Sequence, residues 1–197
     1  MDRAEFEASA VEHIDAVYRL AYHLTRSPDR ADELVQEVYL RALKSETWKS
    51  FEERGGGMRA WLFTIAHNAF YSDLKREGRR PTPVGEFFEE SDGETGPGEA
   101  MPAWDRAHFD WDQVDDSLKE AVTELKPEFR EILLLWGVEG LKYREIAEVL
   151  EVPIGTVMSR LHRARRLLAD ALMADAATVE RLGLDRLSSD ENGEDRG

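Results

Sequence analysis

Apolar residues recur along this chain at steps of three and four, the period of an amphipathic helix, and nowhere alternate as a half-buried strand would. Ile14, Val17, Tyr18, Ala21 and Leu24 form one such stripe. Ser27 and Pro28 then stand as an N-cap and a first-turn proline, opening a second helix along which Leu34, Val35, Val38, Tyr39, Ala42 and Leu43 repeat. The glycine triplet at 55 to 57 breaks the chain. A third helix is predicted from about Met58 to Glu77, burying Leu62, Ile65, Ala66, Ala69 and Leu74.

The pattern then lapses. Residues 81–103 crowd Pro, Gly, Ser, Thr and acidic residues without a period, the texture of a linker. Trp104, Phe109 and Trp111 follow, read as local packing contacts. Helical spacing resumes with Leu118, Val122 and Leu125, where Ser117 is placed to cap. Pro127 opens the next helix, carrying Phe129, Ile132, Leu133 and Trp136, with a stop near Gly137 and Gly140. Two helices follow closely. The first, 143–150, presents Ile146, Ala147 and Leu150; the second, with Pro153 in its first turn, turns Val157, Leu161, Ala164 and Leu168 inward. Leu172, Val179, Leu182 and Leu187 hint at one more helix before SSDENGEDRG, which reads as disordered and solvated. The expected fold is all-α: two small helical domains, 1–80 and 118–169, joined by an acidic flexible linker, 81–117, with a partly disordered C-terminal extension, 170–197.

Charge sharpens that division. The formal net charge is −15, yet residues 1–80 carry −1 and 118–169 carry +1. The linker holds −10 and the extension −5, so the acidity lies outside the two domains. With no cysteine, disulfides, thiolate zinc sites and cysteine nucleophiles are excluded. The five histidines lack metal-ligand spacing and the glycine triplet lacks the Lys-Ser/Thr of a phosphate loop. No catalytic residue, metal or cofactor is therefore expected, and the chain is read as no enzyme. No apolar run is long enough to span a bilayer and the charged start MDRAEFEASA is no signal peptide, so no membrane insertion and a cytoplasmic location are expected.

Against this background IGTVMSRLHRARR, 154–166, is purely basic. Two short helices joined by a few residues, with small Ala147 allowing close approach, make a helix-turn-helix whose second helix enters the major groove. The inward stripe leaves Thr156, Ser159, Arg160, Arg163 and Arg166 outward. Arg can take guanine O6 and N7 bidentately, while Ser, Thr and further Arg hold phosphates. An Arg-rich helical face is ordinarily just solvated; the absence of any acid in this one segment favours DNA. On the third helix Trp61, Thr64, Asn68, Tyr71 and Lys75 follow one another opposite the buried side, with Arg76 beyond and Phe51 in the loop before. Aromatic faces, an amide and basic groups suit an unpaired strand, although Trp61 and Tyr71 taken singly read as half-buried aromatics.

These residues resemble the extracytoplasmic-function (ECF) sigma factors. DELVQEVYLRALK (32–44) is similar to the family's region 2.2, FEERGGGMRAWLFTIAHNAFYSDLKREGRR (51–80) to regions 2.3 and 2.4, and LKPEFREILLLWGVEGLKYREIAEVLEVPIGTVMSRLHRARRLL (125–168) to region 4. The resemblance implies a promoter-specificity subunit of RNA polymerase that recognises −35 and −10 elements and assists melting. It implies Asp32, Glu33, Gln36 and Glu37 as a surface for the β′ clamp helices of core polymerase, with further contact to the β subunit. Phe51, Ile65 and Asn68 match a pocket for a base flipped out of the −10 element, and Arg160 and Arg163 match the −35-reading helix. It also implies promoter DNA and an anti-sigma factor as partners, and a linker threading the polymerase; the linker's charge of −10 suits that role and equally suits plain repulsion from DNA, which would keep the domains apart.

There are departures. Val152 stands where many relatives have a capping Ser, Gly55-Gly56-Gly57 lengthens the −10 loop, and the extension passes the usual end. The residues alone leave a second reading open: a helix-turn-helix regulator binding duplex DNA without joining polymerase.

Overall fold

The computed structural model describes residues 2–44, 48, 51, 56–78, 114–174 and 176–182. The linker expectations for 81–113, its aromatics included, and the tail from 183 onward lie outside them. Among the described residues every regular element is a helix.

A helix that apolar spacing does not announce comes first. α1 (Arg3–Val11) has only Phe6 and Ala10 buried, among alanines and the charged Arg3, Glu5 and Glu7. Its start is fixed by a capping box: the Asp2 carboxylate accepts from the Glu5 backbone N–H at 2.9 Å, and the Glu5 carboxylate accepts from the Asp2 N–H at 2.8 Å. α2 (Ile14–Thr25) buries Val17, Leu20, Ala21 and Leu24, while Ile14 and Tyr18 face outward. The inward face is thus rotated from the expected stripe, because Ala16 and Leu20 supply its other edge. α3 (Pro28–Ala42) begins as expected, with Pro28 in the first turn and the Ser27 hydroxyl accepting from the Arg30 N–H.

α4 (Gly57–Arg76) is capped by Gly56 at φ 85°. A Cβ there would lie 2.5 Å from the Ala60 Cβ, so both conformation and space require glycine. Leu62, Phe63, Ala66, Ala69 and Phe70 of α4 sit in the core among α1, α2 and α3. Ile65 and Leu74, expected inside, are half-buried at its margin.

α5 (Asp116–Glu124) is capped by Asp115, which accepts from the Ser117 N–H at 2.9 Å, and not by Ser117. α6 (Pro127–Gly137), α7 (Tyr143–Val149) and α8 (Ile154–Met173) follow, with Val157, Leu161 and Ala164 of α8 buried as the period requires. Pro153 is the N-cap of α8, one position earlier than expected. It offers no side-chain cap, so the Ser missing at 152 is not replaced. α8 continues into the extension, and α9 (Ala176–Leu182) folds back on the start of α5. There Thr178 is buried with its hydroxyl 3.3 Å from that of Ser117, and Arg181 pairs with Asp115 at 3.1 Å. This part of the extension is docked, not a solvated end.

The two halves are not held apart. α2 packs on α6 and α4 on α7, and one continuous apolar core runs from Leu20 and Leu62 through to Ile132, Leu135, Ile146 and Val149.

Candidate nucleic-acid interface

α8 owes its phase to its own domain. With Val157, Leu161 and Ala164 locked inward, Ser159, Arg163 and Arg166 are exposed and Thr156 and Arg160 half-exposed. The Arg163 guanidinium lies 6.0 Å from the centre of the Phe129 ring, and that of Arg165 lies 5.4 Å from Trp136. Such stacking holds a guanidinium without neutralising it. In the turn before α8, Glu151 adopts a left-handed φ of 53°, uncommon for a residue with a Cβ.

On α4 the candidate residues separate into three environments. Thr64, Ile65 and Asn68 line an open pocket of about 390 Å3 together with Arg41 and Lys44 from the end of α3. A hydrophobic wall, an amide and two cations make a site with the chemistry to take a base and its phosphate. Phe51 and Trp61, by contrast, pack on the protein itself: their ring centres are 5.4 Å apart, and each lies 5.6 Å from Phe6 of α1. Lys75 and Arg76 are exposed at the end of α4, Arg76 paired with Asp73.

Tyr71 lies at the edge of the stripe that region 118–169 covers. Its hydroxyl donates to the Glu131 carboxylate at 3.2 Å, and its ring centre is 4.5 Å from that of His67, whose Nδ1 donates to the same carboxylate at 2.9 Å. Burial, then Glu131, push the Tyr71 phenol far above its ordinary pKa. Burial opposes a charge on His67, but the Glu131 carboxylate outweighs it and raises the imidazole pKa; Glu151 adds to the rise and Arg160 opposes it. Asn68 Nδ2 donates to Glu151 at 3.3 Å. The stripe's far edge thus meets the helix-turn-helix.

The candidate polymerase surface lies on α3. Asp32, Glu33 and Gln36 are exposed, and Glu37 is half-exposed in a 2.6 Å pair with Arg41. The same face carries Leu40, 63% exposed, an apolar anchor among polar neighbours.

Sequence reasoning passed over Arg41, Lys44, Leu40, His67 and Glu131. The first three sit in DELVQEVYLRALK, where i, i+3 and i, i+4 steps from Glu37 were the available signal. Nothing local marks Glu131 as buried, since its partners lie 60 and 64 residues away. No group of three potential metal ligands occurs among the described residues, and none of their helices is long and apolar enough to cross a membrane.

Two family descriptions match the chain: "Sigma-70 region 2" over residues 10–80 and "Sigma-70, region 4" over residues 115–168. The chain is 35% identical over 162 residues to the ECF RNA polymerase sigma factor SigE of Mycolicibacterium smegmatis, covering 82% of this chain and 59% of that protein's length. It is 33% identical to the ECF RNA polymerase sigma factor EcfG of Rhodopseudomonas palustris, covering 81% of this chain and 80% of EcfG. Among solved structures it is similar to the sigma factor RpoE from Bartonella quintana, in complex with the anti-sigma factor NepR. That match has a TM-score of 0.62 and 32% identity, and covers 87% of this chain and 98% of RpoE.

Proposed function

We propose, for a chain that belongs to the ECF RNA polymerase sigma factors, a division of promoter recognition between its two halves. As a member it is a promoter-specificity subunit of bacterial RNA polymerase. Residues 1–80 read and melt the −10 element, with Thr64, Ile65, Asn68, Arg41 and Lys44 receiving an extruded base and its phosphate. Extrusion costs a few kcal/mol of lost stacking, which the pocket must repay. Phe51 and Trp61, packed on Phe6, brace the start of α4, and Tyr71, Lys75 and Arg76 follow the strand. Residues 118–169 read the −35 element through Thr156, Ser159, Arg160, Arg163 and Arg166 in the major groove.

Core polymerase docks on Asp32, Glu33, Gln36 and Glu37 around Leu40, and supplies the catalytic centre; this chain has no enzymatic step of its own and works in the cytoplasm. Because RpoE from Bartonella quintana is found with an anti-sigma factor, an anti-sigma partner is proposed here too. The observation that carries the reading is the occurrence of both regions, in order, in one chain, with the acid-free basic segment 154–166 in the second. A helix-turn-helix regulator acting alone would have no use for the first region and is not favoured.

The experiment is reconstitution with core RNA polymerase and sheared genomic DNA, reading initiated transcripts by sequencing. Transcripts sharing two upstream elements are expected; none above core enzyme alone would overturn the reading. Asn68→Ala is expected to reduce open complexes, read by permanganate, more than closed-complex binding.

A further inference from the structure

α6 lies beneath the recognition helix α8 and holds an arginine at each of its edges. Arg163 and Arg165 are two positions apart, so their side chains leave α8 about 200° from one another. The Arg163 guanidinium reaches to 6.0 Å from the centre of the Phe129 ring, and that of Arg165 to 5.4 Å from the centre of Trp136. Ile132, Leu134 and Leu135 of α6 are buried as deeply as these rings, yet they are aliphatic. The only two aromatic residues of α6 are thus the two that meet an arginine of α8. Phe129 is 4% exposed and Trp136 9%, both set in the core with Val157 and Leu161, so neither ring shifts without repacking that core. Arg163 and Arg165, by contrast, are exposed.

An arginine that meets DNA from a mobile state must surrender rotamer freedom, and that ordering is subtracted from its affinity. Stacking uses the face of a guanidinium and leaves its charge and its edge donors in play. Against a fixed ring, part of the ordering is therefore done before DNA arrives. Ser159, His162 and Arg166 lie on the exposed arc of α8 between the two arginines. A helix in the major groove has base edges in front of it and a phosphate strand along each side. We propose that Phe129 and Trp136 are positioning residues for −35 recognition, holding Arg163 and Arg165 toward opposite phosphate strands and so fixing the register at which Ser159 and Arg166 meet base edges. Arg165 thereby joins the reading helix as a phosphate contact. Both pairs lie within the region 4 match, and the proposal rests on the sigma reading above.

The test uses the full chain with core RNA polymerase and, as probe, the genomic fragment most often initiated in the transcript sequencing above. Holoenzyme affinity for that fragment is read by fluorescence anisotropy over a range of salt concentrations. Arg165→Ala is expected to lower the slope of log affinity against log salt by about 0.9, the loss of one phosphate contact. An unchanged slope overturns the proposal, and this variant leaves the core packing untouched. Phe129→Leu and Trp136→Leu keep apolar bulk but remove the ring face, and each is expected to weaken binding about fivefold. Trp136→Phe, which keeps a ring, is expected to stay within about twofold of the parent. Phe129→Leu is expected to add less than about twofold to the loss from Arg163→Ala, because the ring acts through that arginine. Equal losses in the two Trp136 variants overturn the proposal, as does a Phe129→Leu loss of the same size with or without Arg163. If the parent holoenzyme initiates on no fragment above core enzyme alone, the sigma reading falls instead.

Discussion

α3 and α6 begin alike, each with a proline in the first turn and an apolar stripe at steps of three and four, yet they treat their charges in opposite ways. On α3, Asp32, Glu33 and Gln36 stay in water beside an uncovered Leu40. On α6, Arg130 and Glu131 are almost wholly buried. The difference lies in where each helix finds its partner. Among the described residues the Asp32, Glu33 and Gln36 edge of α3 stays exposed, whereas Arg130 and Glu131 of α6 lie against α2 and α4, whose donors and acceptors receive them. Buried charge is tolerated only with such partners, since an unpaired one costs several kcal/mol.

Arg130 offers the strongest way to break this contrast. Its guanidinium donates to the carbonyls of Thr123 at 2.7 Å, Leu125 at 3.1 Å and Leu24 at 3.3 Å, and burial, then Arg26, lower its pKa to about 10. Arg130→Ala strands those acceptors, and a loss of about 3 kcal/mol in urea unfolding is expected. On α3 the largest effect should appear in binding instead. Leu40→Asp is expected to weaken core polymerase binding about tenfold or more, read by fluorescence titration, with unfolding unchanged.

The third test is pH. His67 has a raised pKa in the folded chain, so the stability it adds is fully present below the unfolded value of 6.5 and is lost as pH rises through the folded pKa. The groups facing it are Glu131, Tyr71, Glu151 and Arg160. Thermal unfolding followed from pH 6 upward should show the parent losing stability relative to His67→Gln; parallel curves would show that the imidazole is not coupled to Glu131. The smallest effect belongs to Glu33→Ala, for which a stability change within about 0.5 kcal/mol is expected by urea unfolding.

Legibility follows the same division. Helices whose apolar faces rest on their own domain were readable: α3 from Leu34, Val38 and Ala42, and α8 from Val157, Leu161 and Ala164, whose phase set Ser159, Arg163 and Arg166 outward. α1 was not, because only Phe6 and Ala10 of it are buried and two inward residues define no period, although Asp2 and Glu5 carried the spacing of a capping box. At the candidate site, Asn68 and Ile65 could be placed on one helical face. That Tyr71 and Asn68 would spend their hydrogen bonds on Glu131 and Glu151 could not, since helical period reports a face and not what covers it.

The continuous core described above also bears on how long such a protein lasts. While Leu20 and Leu62 share one interior with Ile132 and Ile146, the core helices that carry them open to a protease only by a large cooperative unfolding. Once parted, each half is a small helical unit below about 80 residues, with fewer neighbours to oppose local opening.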